Sequence, residues 1–189
     1  MRGKGKRAFF LDRDGVINKS PGEGFVTCWE QFRFLPGVLD ALRLLKKQKE
    51  LVIIVSNQSV VGRGIISAGQ LRRITQRMLR GITSAGGAVE EVYYCMHHPK
   101  KKCSCRKPLI RMLVKAQKKF SIDLKKSFMI GDEDKDIQMG HRAGCRTILV
   151  LSGKSRRIET KRWVVQPDRI EKDLLRAVQR VILLERNKK

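Results

Sequence analysis

The sequence predicts a protein of the α/β class, with a parallel β-sheet flanked by helices. Short apolar runs rich in branched and aromatic residues alternate with longer segments in which apolar residues recur at spacings of three and four. The short runs are typical of buried parallel strands, and the longer segments are typical of helices that pack on a sheet. A chain of 189 residues with 41% hydrophobic content can build one substantial core, so we expect residues 1–189 to form a single domain.

The two periodicities assign the individual elements. The apolar runs predict five strands, at residues 8–11, 51–55, 89–94, 128–130 and 147–151, with a candidate sixth at 163–165. The segments of helical period predict five helices, at residues 38–49, 68–85, 109–120, 135–143 and 169–184. Strands and helices therefore alternate along the chain, as they do where helices connect parallel strands.

Charge and hydropathy narrow the setting in which the protein works. The chain carries 42 Lys and Arg against 18 Asp and Glu, a net charge of +24, which would attract polyanions such as nucleic acid or phosphorylated metabolites. The basic residues are spread along the chain, which favours a generally solvated basic surface. No apolar run approaches the roughly 18 to 20 residues that span a bilayer, and the N-terminal apolar stretch is too short for a signal peptide. We therefore expect a cytoplasmic protein without membrane contact.

Polar residues follow several predicted strands at the point where each strand ends. In an open parallel sheet the ligand crevice lies beyond the carboxyl ends of the strands, so these residues are candidates for one site. In chain order they are Asp12 and Asp14, then Ser56 and Asn57, then Arg106 and Lys107, and finally Asp132.

Asp12 and Asp14 suit phosphate chemistry. A carboxylate can attack phosphorus to give an acyl phosphate if a cation neutralises the phosphoryl oxygens and a second group protonates the leaving oxygen. We assign Asp12 as the nucleophile and Asp14 as the general acid and then the general base. Gly15, which follows them, lets the backbone turn tightly beside an anion. The alternative is a pair of solvated turn aspartates.

A magnesium ion fits the same edge of the sheet. Mg²⁺ prefers hard oxygen ligands and is often held by one or two carboxylates together with a substrate phosphate. Asp132 is the further carboxylate that such a site needs. Glu133 and Asp134 stand at a helix start, where a capping role explains them. Asp136 either orders the site or faces solvent.

Three cysteines and a histidine crowd into an 11-residue segment, residues 95–105. Soft sulfur and imidazole ligands select a closed, tetrahedral, structural Zn²⁺ site. His98 is the alternative to the neighbouring histidine, and Cys28 and Cys145 are expected to be ordinary buried side chains. The expected zinc ligands are Cys95, His97, Cys103 and Cys105.

Taken together, these residues resemble the motifs of the haloacid dehalogenase superfamily of phosphatases. The superfamily's four motifs match Asp12-x-Asp14, Ser56, Lys107 and Gly131-Asp132-x-x-x-Asp136 in order. Within the superfamily, this chain is similar to the heptose-bisphosphate and histidinol-phosphate phosphatases. The similarity lies in the zinc loop and in residues 10–18 (FLDRDGVIN), 56–59 (SNQS) and 105–108 (CRKP). The resemblance implies a doubly wound, Rossmann-like core without a large cap domain.

The resemblance also implies a role for each matching residue. Mg²⁺ would be bound by the side chains of Asp12 and Asp132 and by the backbone carbonyl of Asp14. Ser56 and Lys107 would stabilise the phosphoryl group. The residues expected to bind substrate or its phosphate are Arg13, Ser56, Asn57, Gln58, Ser59, Arg106 and Lys107.

The implied substrate is a small phosphorylated metabolite, acted on by a monomer. Hydrolysis of the 7-phosphate of a heptose 1,7-bisphosphate is the leading hypothesis, and histidinol phosphate is the alternative because the zinc loop is short. A nucleic-acid-binding protein or 3′-end phosphatase is a third possibility, based on the net charge of +24. In the resembled enzymes a basic residue can follow the metal-binding aspartate, but in this chain Glu133 follows Asp132. The resemblance therefore does not explain how a second phosphate would be bound.

Overall fold

A computed structural model of the chain describes residues 5–186. These residues contain one six-stranded sheet, with strand order β3-β2-β1-β4-β5-β6 and every pair parallel. Residues 1–4 and 187–189 of the expected domain lie outside the described range. The strands are β1 (Ala8–Leu11), β2 (Leu51–Asn57), β3 (Glu91–Cys95), β4 (Phe128–Gly131), β5 (Arg146–Val150) and β6 (Arg169–Glu171).

Helices cover both faces of the sheet, because successive residues of each strand point to opposite sides. Phe9 and Leu11 pack in a core with the helices α1, α3 and α6, whereas Ala8 and Phe10 pack in a second core with α4 and α5. The helices are α1 (Val38–Lys47), α2 (Ser59–Gly62), α3 (Ala68–Ser84), α4 (Arg111–Phe120), α5 (Asp134–Ala143) and α6 (Leu174–Arg186).

The prediction of a doubly wound α/β fold is confirmed. Residues between β1 and β2 form a loop with one 3-10 turn (Trp29–Gln31) and α1, and residues between β2 and β3 form α2, α3 and short turns. The described chain therefore has no large cap domain at either position. Across residues 5–186, every helix is too short or too polar to cross a membrane.

The predicted sixth strand at residues 163–165 is wrong. These residues follow the 3-10 turn Arg157–Arg162, and the side chain of Val164 is 97% exposed. The sixth strand is β6, which pairs with β5, and the last helix begins at Leu174 instead of residue 169. Asp168 explains the shift, because its carboxylate accepts hydrogen bonds from the backbone N–H (2.6 Å) and hydroxyl (2.8 Å) of Thr147. This contact brings residues 169–171 to the edge of the sheet.

The strand order determines where a ligand can bind. The chain builds outward from β1 in one direction through β2 and β3, and in the other through β4, β5 and β6. The direction of winding reverses between β1 and β4, and a crevice opens there at the carboxyl ends of the strands. The N–H of Asp12 donates to the carbonyl of Ile130 at 3.0 Å, so the residues after β1 and β4 lie side by side at this crevice.

Candidate active site

Three aspartates meet at the crevice between β1 and β4. Asp12 follows β1, Asp132 follows β4 and Asp136 lies in the first turn of α5. Each carboxylate is buried, and one oxygen of each lies within 4.8 Å of the others. Burial, followed by the negative charges of Asp12 and Asp136, raises the pKa of Asp132 to about 8. Burial likewise raises the pKa of Asp136 to about 6, against the opposing effect of Lys107.

Lys107 neutralises part of this acidic cluster from within the protein. Its Nζ lies 2.7 Å from Oδ1 of Asp12 and 2.6 Å from Oδ1 of Asp136, and it donates to the carbonyl of Val55 at 3.1 Å. Burial lowers the pKa of Lys107, but the two aspartates outweigh burial and raise it overall. Asn57 holds the Lys107 backbone, accepting from its N–H at 3.0 Å and donating to its carbonyl at 3.3 Å. The amide of Asn57 therefore positions Lys107.

Asp14 is held by three neighbouring side chains. Both oxygens of its carboxylate accept hydrogen bonds from Nη2 of Arg13, each at 2.9 Å. The side-chain amides of Asn18 and Gln58 also donate to this carboxylate, each at 2.8 Å. Burial raises the pKa of Asp14, but Arg13, with the hydrogen bonds, lowers it overall. The guanidinium of Arg13 is itself buried and lies 5.9 Å from the centre of the Tyr94 ring. This arrangement therefore favours the ionised form of the Asp14 carboxylate.

Two glycines bring the backbone close to Asp132. A Cβ atom would lie 2.3 Å from Oδ2 of Asp132 at Gly15, where φ is +89°, and 2.0 Å from the same oxygen at Gly153. The N–H of Lys154 donates to Oδ2 at 2.9 Å, while the buried Oδ1 has no hydrogen-bond partner among residues 5–186. An unpartnered buried carboxylate oxygen beside two further carboxylates fits a hard cation such as Mg²⁺.

The remaining predicted phosphate-binding residues line one pocket together with Asp12 and Asp14. Ser56 lies at the end of β2, where its Oγ accepts a hydrogen bond from Gln58 at 3.1 Å. Sequence reasoning did not assign Lys135 or Lys154 to the site. Lys154 carried no motif signal, because it follows β5 in a loop and only the fold shows that this loop reaches the crevice. The polar lining of the pocket is Asp12, Arg13, Asp14, Ser56, Asn57, Gln58, Ser59, Arg106, Lys107, Glu133, Lys135 and Lys154.

The cysteine and histidine cluster forms a second, separate group. One potential ligand atom from each of its four residues lies within 4.8 Å of the others. Cys95 Sγ is 3.7 Å from Cys103 Sγ and 3.7 Å from His97 Nδ1, and Cys105 Sγ is 3.3 Å from the same nitrogen. A tetrahedral Zn²⁺ with Zn–S bonds of about 2.3 Å has S···S edges of about 3.8 Å, so the donor set and its size fit zinc. His98 lies outside the cluster, and its Nδ1 accepts from the N–H of Lys100.

The loop of residues 95–105 is attached to the pocket at three points. The carbonyl of Cys95 accepts from the N–H of Gln58 at 2.8 Å, and the carbonyl of His97 accepts from Nη2 of Arg106 at 2.5 Å. Gly62 of α2 packs on the loop backbone so closely that a Cβ atom would lie 2.2 Å from the nitrogen of His98. The position of this loop therefore sets the positions of Gln58 and Arg106.

The two cysteines outside the cluster differ from each other. None of the chain's five cysteines, all of which lie within residues 5–186, forms a disulfide. Cys145 is buried as expected, and burial raises the pKa of its thiol to about 12. Cys28 is only half-buried, so the expectation of a buried side chain is wrong there.

Comparisons with known proteins agree with this fold and site. A family model for haloacid dehalogenase (HAD)-like hydrolases matches residues 104–177. A D-glycero-β-D-manno-heptose-1,7-bisphosphate 7-phosphatase of Photorhabdus laumondii is 41% identical over 159 residues, which cover 80% of this chain and 84% of that protein. The Escherichia coli protein of the same name is 37% identical over 155 residues, covering 78% and 80%.

A solved structure extends the similarity to the whole described fold. The D,D-heptose 1,7-bisphosphate phosphatase of B. bronchiseptica, crystallised with magnesium and phosphate, superposes with a TM-score of 0.89 at 30% identity. The superposition covers 94% of this chain and 99% of the other. The doubly wound sheet and the aspartates beyond β1 and β4 thus define the class of haloacid dehalogenase-like phosphoric monoester hydrolases.

Within this class, the narrower family follows from the 37% to 41% sequence identity to the named relatives over most of the chain. The chain belongs to the family of D-glycero-β-D-manno-heptose-1,7-bisphosphate 7-phosphatases.

Proposed function

We propose that this protein hydrolyses the 7-phosphate of D-glycero-β-D-manno-heptose 1,7-bisphosphate. The observation that carries the proposal is the buried carboxylate of Asp12, which is in an ion pair with Lys107 and stands beside Asp132 at the base of a cation-lined pocket. Relatives at 37% to 41% identity, named for this reaction, support the choice of substrate.

The proposed chemistry proceeds in two displacements on phosphorus. A carboxylate oxygen of Asp12 attacks the phosphorus, the bond from phosphorus to the sugar oxygen breaks, and Asp14 gives that oxygen a proton. Asp14, now ionised, takes a proton from water, and the resulting oxygen attacks the aspartyl phosphate to release phosphate and restore Asp12. The ion pair with Arg13 favours the ionised form of Asp14 that the second displacement requires. The first displacement requires its protonated form.

Mg²⁺ is the proposed cofactor, bound by the side chains of Asp12 and Asp132 and by the backbone carbonyl of Asp14. When bound, it neutralises charge on the phosphoryl oxygens. Support comes from the donor set, from the unpartnered Oδ1 of Asp132, and from the magnesium and phosphate in the B. bronchiseptica enzyme. Lys107 and Ser56 would act on the same phosphoryl oxygens, and Asp136 would hold Lys107 in place.

Zn²⁺ is proposed as a structural metal, bound by Cys95, His97, Cys103 and Cys105. The cluster offers four soft donors and so leaves no open position for a substrate. Its proposed effect is to fix the loop that holds Arg106 and Gln58. Metal analysis of protein purified without a chelator should find about one equivalent of zinc, and a value well below one equivalent would argue against the assignment.

Histidinol phosphate remains a second candidate substrate because of one residue. Glu133 lines the pocket and offers a carboxylate that could pair with the ammonium group of histidinol. Its two lysine partners, at 2.7 Å and 3.6 Å, oppose that role.

Steady-state kinetics on a panel of phosphate esters tests the substrate directly. The panel contains the heptose 1,7-bisphosphate, histidinol phosphate and nucleoside monophosphates, each with excess Mg²⁺. We expect kcat/KM for the bisphosphate to exceed that of every other ester by at least about tenfold, a difference of roughly 1.4 kcal/mol in transition-state stabilisation. A tenfold advantage for histidinol phosphate or a nucleotide would reject the proposed substrate.

We further propose a cytoplasmic monomer formed by one domain that binds no nucleic acid. Five cysteines within residues 5–186 that form no disulfide suit a reducing compartment. The net charge of +24 is spread along the chain, and electrostatic binding of nucleic acid weakens steeply with salt. Size-exclusion chromatography should give a mass near 21.7 kDa. DNA or RNA binding that persists at ~150 mM salt would contradict the proposal.

A further inference from the structure

Three charged side chains form a cluster on the wall of the pocket, outside the group that performs the chemistry. Glu133 follows Asp132, Lys135 lies in the first turn of α5, and Lys154 lies in the loop after β5. The Glu133 carboxylate is 2.7 Å from Nζ of Lys135 through Oε2 and 3.6 Å from Nζ of Lys154 through Oε1. We call these three residues the rim cluster.

The rim cluster differs from the buried ion pair of Lys107 in its access to solvent. The side chains of Lys135 and Lys154 are 34% and 47% exposed, whereas that of Lys107 is 0% exposed. Lys107 is committed to two aspartates, but the two rim lysines share the single negative charge of Glu133. The cluster therefore presents a net positive charge to a ligand that enters from solvent.

The backbone fixes the rim lysines relative to the phosphate-transfer site. The N–H of Lys154 donates to Oδ2 of Asp132 at 2.9 Å, and Lys135 belongs to the helix that begins two residues after Asp132. Glu133 itself is anchored, because its N–H donates to Oδ2 of Asp136 at 3.1 Å. The backbone of both lysines is therefore held beside Asp132, while their long side chains can adjust to a ligand.

A bisphosphate needs cations at two places in the pocket. Among the basic residues that line it, Arg13 is paired with Asp14, and Lys107 is paired with Asp12 and Asp136. Arg106 is one further cation, and the other two are the lysines of the rim cluster. The lysines thus supply charge that the phosphate transfer at Asp12 does not use.

We propose that Lys135 and Lys154, aligned by Glu133, bind the phosphate of the substrate that is not transferred, and so make the enzyme selective for bisphosphates over monophosphates. The inference rests on the proposed function, because it assigns residues to the second phosphate of that substrate. It also accounts for an acidic residue directly after Asp132, since Glu133 acts as the counter-ion that holds two lysines side by side.

Kinetics on a pair of substrates tests the rim cluster. Wild type and the variants Lys135→Ala, Lys154→Ala and the double variant are assayed with the heptose 1,7-bisphosphate and with the heptose 7-phosphate, which lacks the second phosphate. A charge-assisted contact to phosphate is worth roughly 1.5 to 3 kcal/mol, so we expect each single variant to raise KM for the bisphosphate about tenfold or more. The values of kcat, and of kcat/KM for the monophosphate, should stay within about twofold of wild type.

The matched control is Lys47→Ala, which removes an exposed lysine from the last turn of α1, outside the pocket lining. It should change neither substrate's KM. An equal loss on both substrates in the rim variants would overturn the inference, because it would place the lysines at the transferred phosphate or in the fold. Unchanged KM for the bisphosphate in the double variant would also overturn it.

The wild-type measurements separate this inference from the proposed function. If wild type hydrolyses the bisphosphate with no advantage over histidinol phosphate and nucleotides, the proposed substrate fails. If wild type prefers the bisphosphate and the rim variants keep that preference, the proposed function stands and the rim assignment alone is wrong.

Discussion

The acidic cluster and the cysteine cluster are alike in size and opposite in construction. In both, the candidate ligand atoms lie within 4.8 Å of one another. The acidic cluster is fully buried, contains its own lysine, and draws its residues from the ends of two strands and from a helix. The cysteine cluster is partly exposed, and its residues come from the last position of β3 and the short loop that follows it.

The difference in construction fits a difference in role, catalytic for the acidic cluster and structural for the cysteine cluster. In the acidic cluster, three carboxylates outnumber the single lysine. A metal cation bound there would keep coordination positions for a phosphate. In the cysteine cluster, four soft ligands would fill every coordination position of a zinc ion, so the metal could only hold the backbone in place. Gln58 and Arg106 connect the two regions, because the zinc loop's carbonyls bind both residues and both line the pocket.

The largest expected effect is loss of the nucleophile. Asp12→Asn keeps the shape of the side chain but replaces the nucleophilic carboxylate with a neutral, weakly nucleophilic amide, so we expect kcat to fall by at least about 10³-fold. Zinc content and the circular dichroism spectrum should match wild type, because Asp12 lies outside the cysteine cluster. Wild-type-like turnover in this variant would contradict the assignment.

A smaller effect is expected when the backbone beside Asp132 is crowded. In Gly153→Ala the new Cβ would lie 2.0 Å from Oδ2 of Asp132, whose carboxylate would have to move. We expect the Mg²⁺ concentration for half-maximal activity to rise and kcat/KM to fall by roughly 10²-fold, with zinc retained.

Gly24→Ala is the matched control, because it is also in the pocket lining and its Cβ would meet only the carbonyl of Pro21 at 3.6 Å. It should change kcat/KM by less than about threefold. Equal losses in the two variants would show that the close approach to Asp132 has no specific role.

Removing a zinc ligand should weaken the site without abolishing it. In Cys103→Ser we expect loss of most of the zinc, and movement of the loop should displace Arg106 and Gln58. A displacement of about 1 Å in supporting residues can cost up to about 10²-fold, so we expect kcat/KM to fall by roughly 10-fold to 10²-fold while some turnover remains. Metal analysis and kinetics on the same sample test this. Full activity in a zinc-free variant would show that the loop is positioned without metal.

The smallest effect is expected at the buried cysteine outside the cluster. Cys145→Ala removes one sulfur from the core packed by α4 and α5, which should lower the free energy of unfolding by about 1 kcal/mol. Zinc content and kcat/KM should not change. Chemical denaturation checks the first expectation, and a loss of zinc would show that Cys145 contributes to metal binding.

Local patterns made much of this site predictable. Asp12, Ser56 and Asp132 each follow a run of apolar residues, and parallel strands bring such positions to one edge whatever their distance in sequence. The partners of Asp136 and the location of Lys154 were not predictable in this way. Whether Asp136 faces Lys107 or solvent depends on how α5 packs, and Lys154 reaches the crevice through a loop without a motif.

The sixth strand was misplaced for a similar reason. The run Trp163-Val164-Val165 has strong strand propensity, yet the strand forms at Arg169–Glu171 because Asp168 binds the edge of β5. A side-chain contact with a distant residue thus outweighed local preference.

The pairing of β1 with β4 has a consequence for the order of assembly during folding. Phe9 pairs with Phe128, so the acidic cluster exists only after a chain segment of more than one hundred residues has closed on itself. The four proposed zinc ligands span 11 residues, and the entropy cost of closing a loop grows with its length. We therefore expect a folding chain to capture its zinc before it can bind magnesium, so that the supporting loop is in place when the catalytic crevice closes.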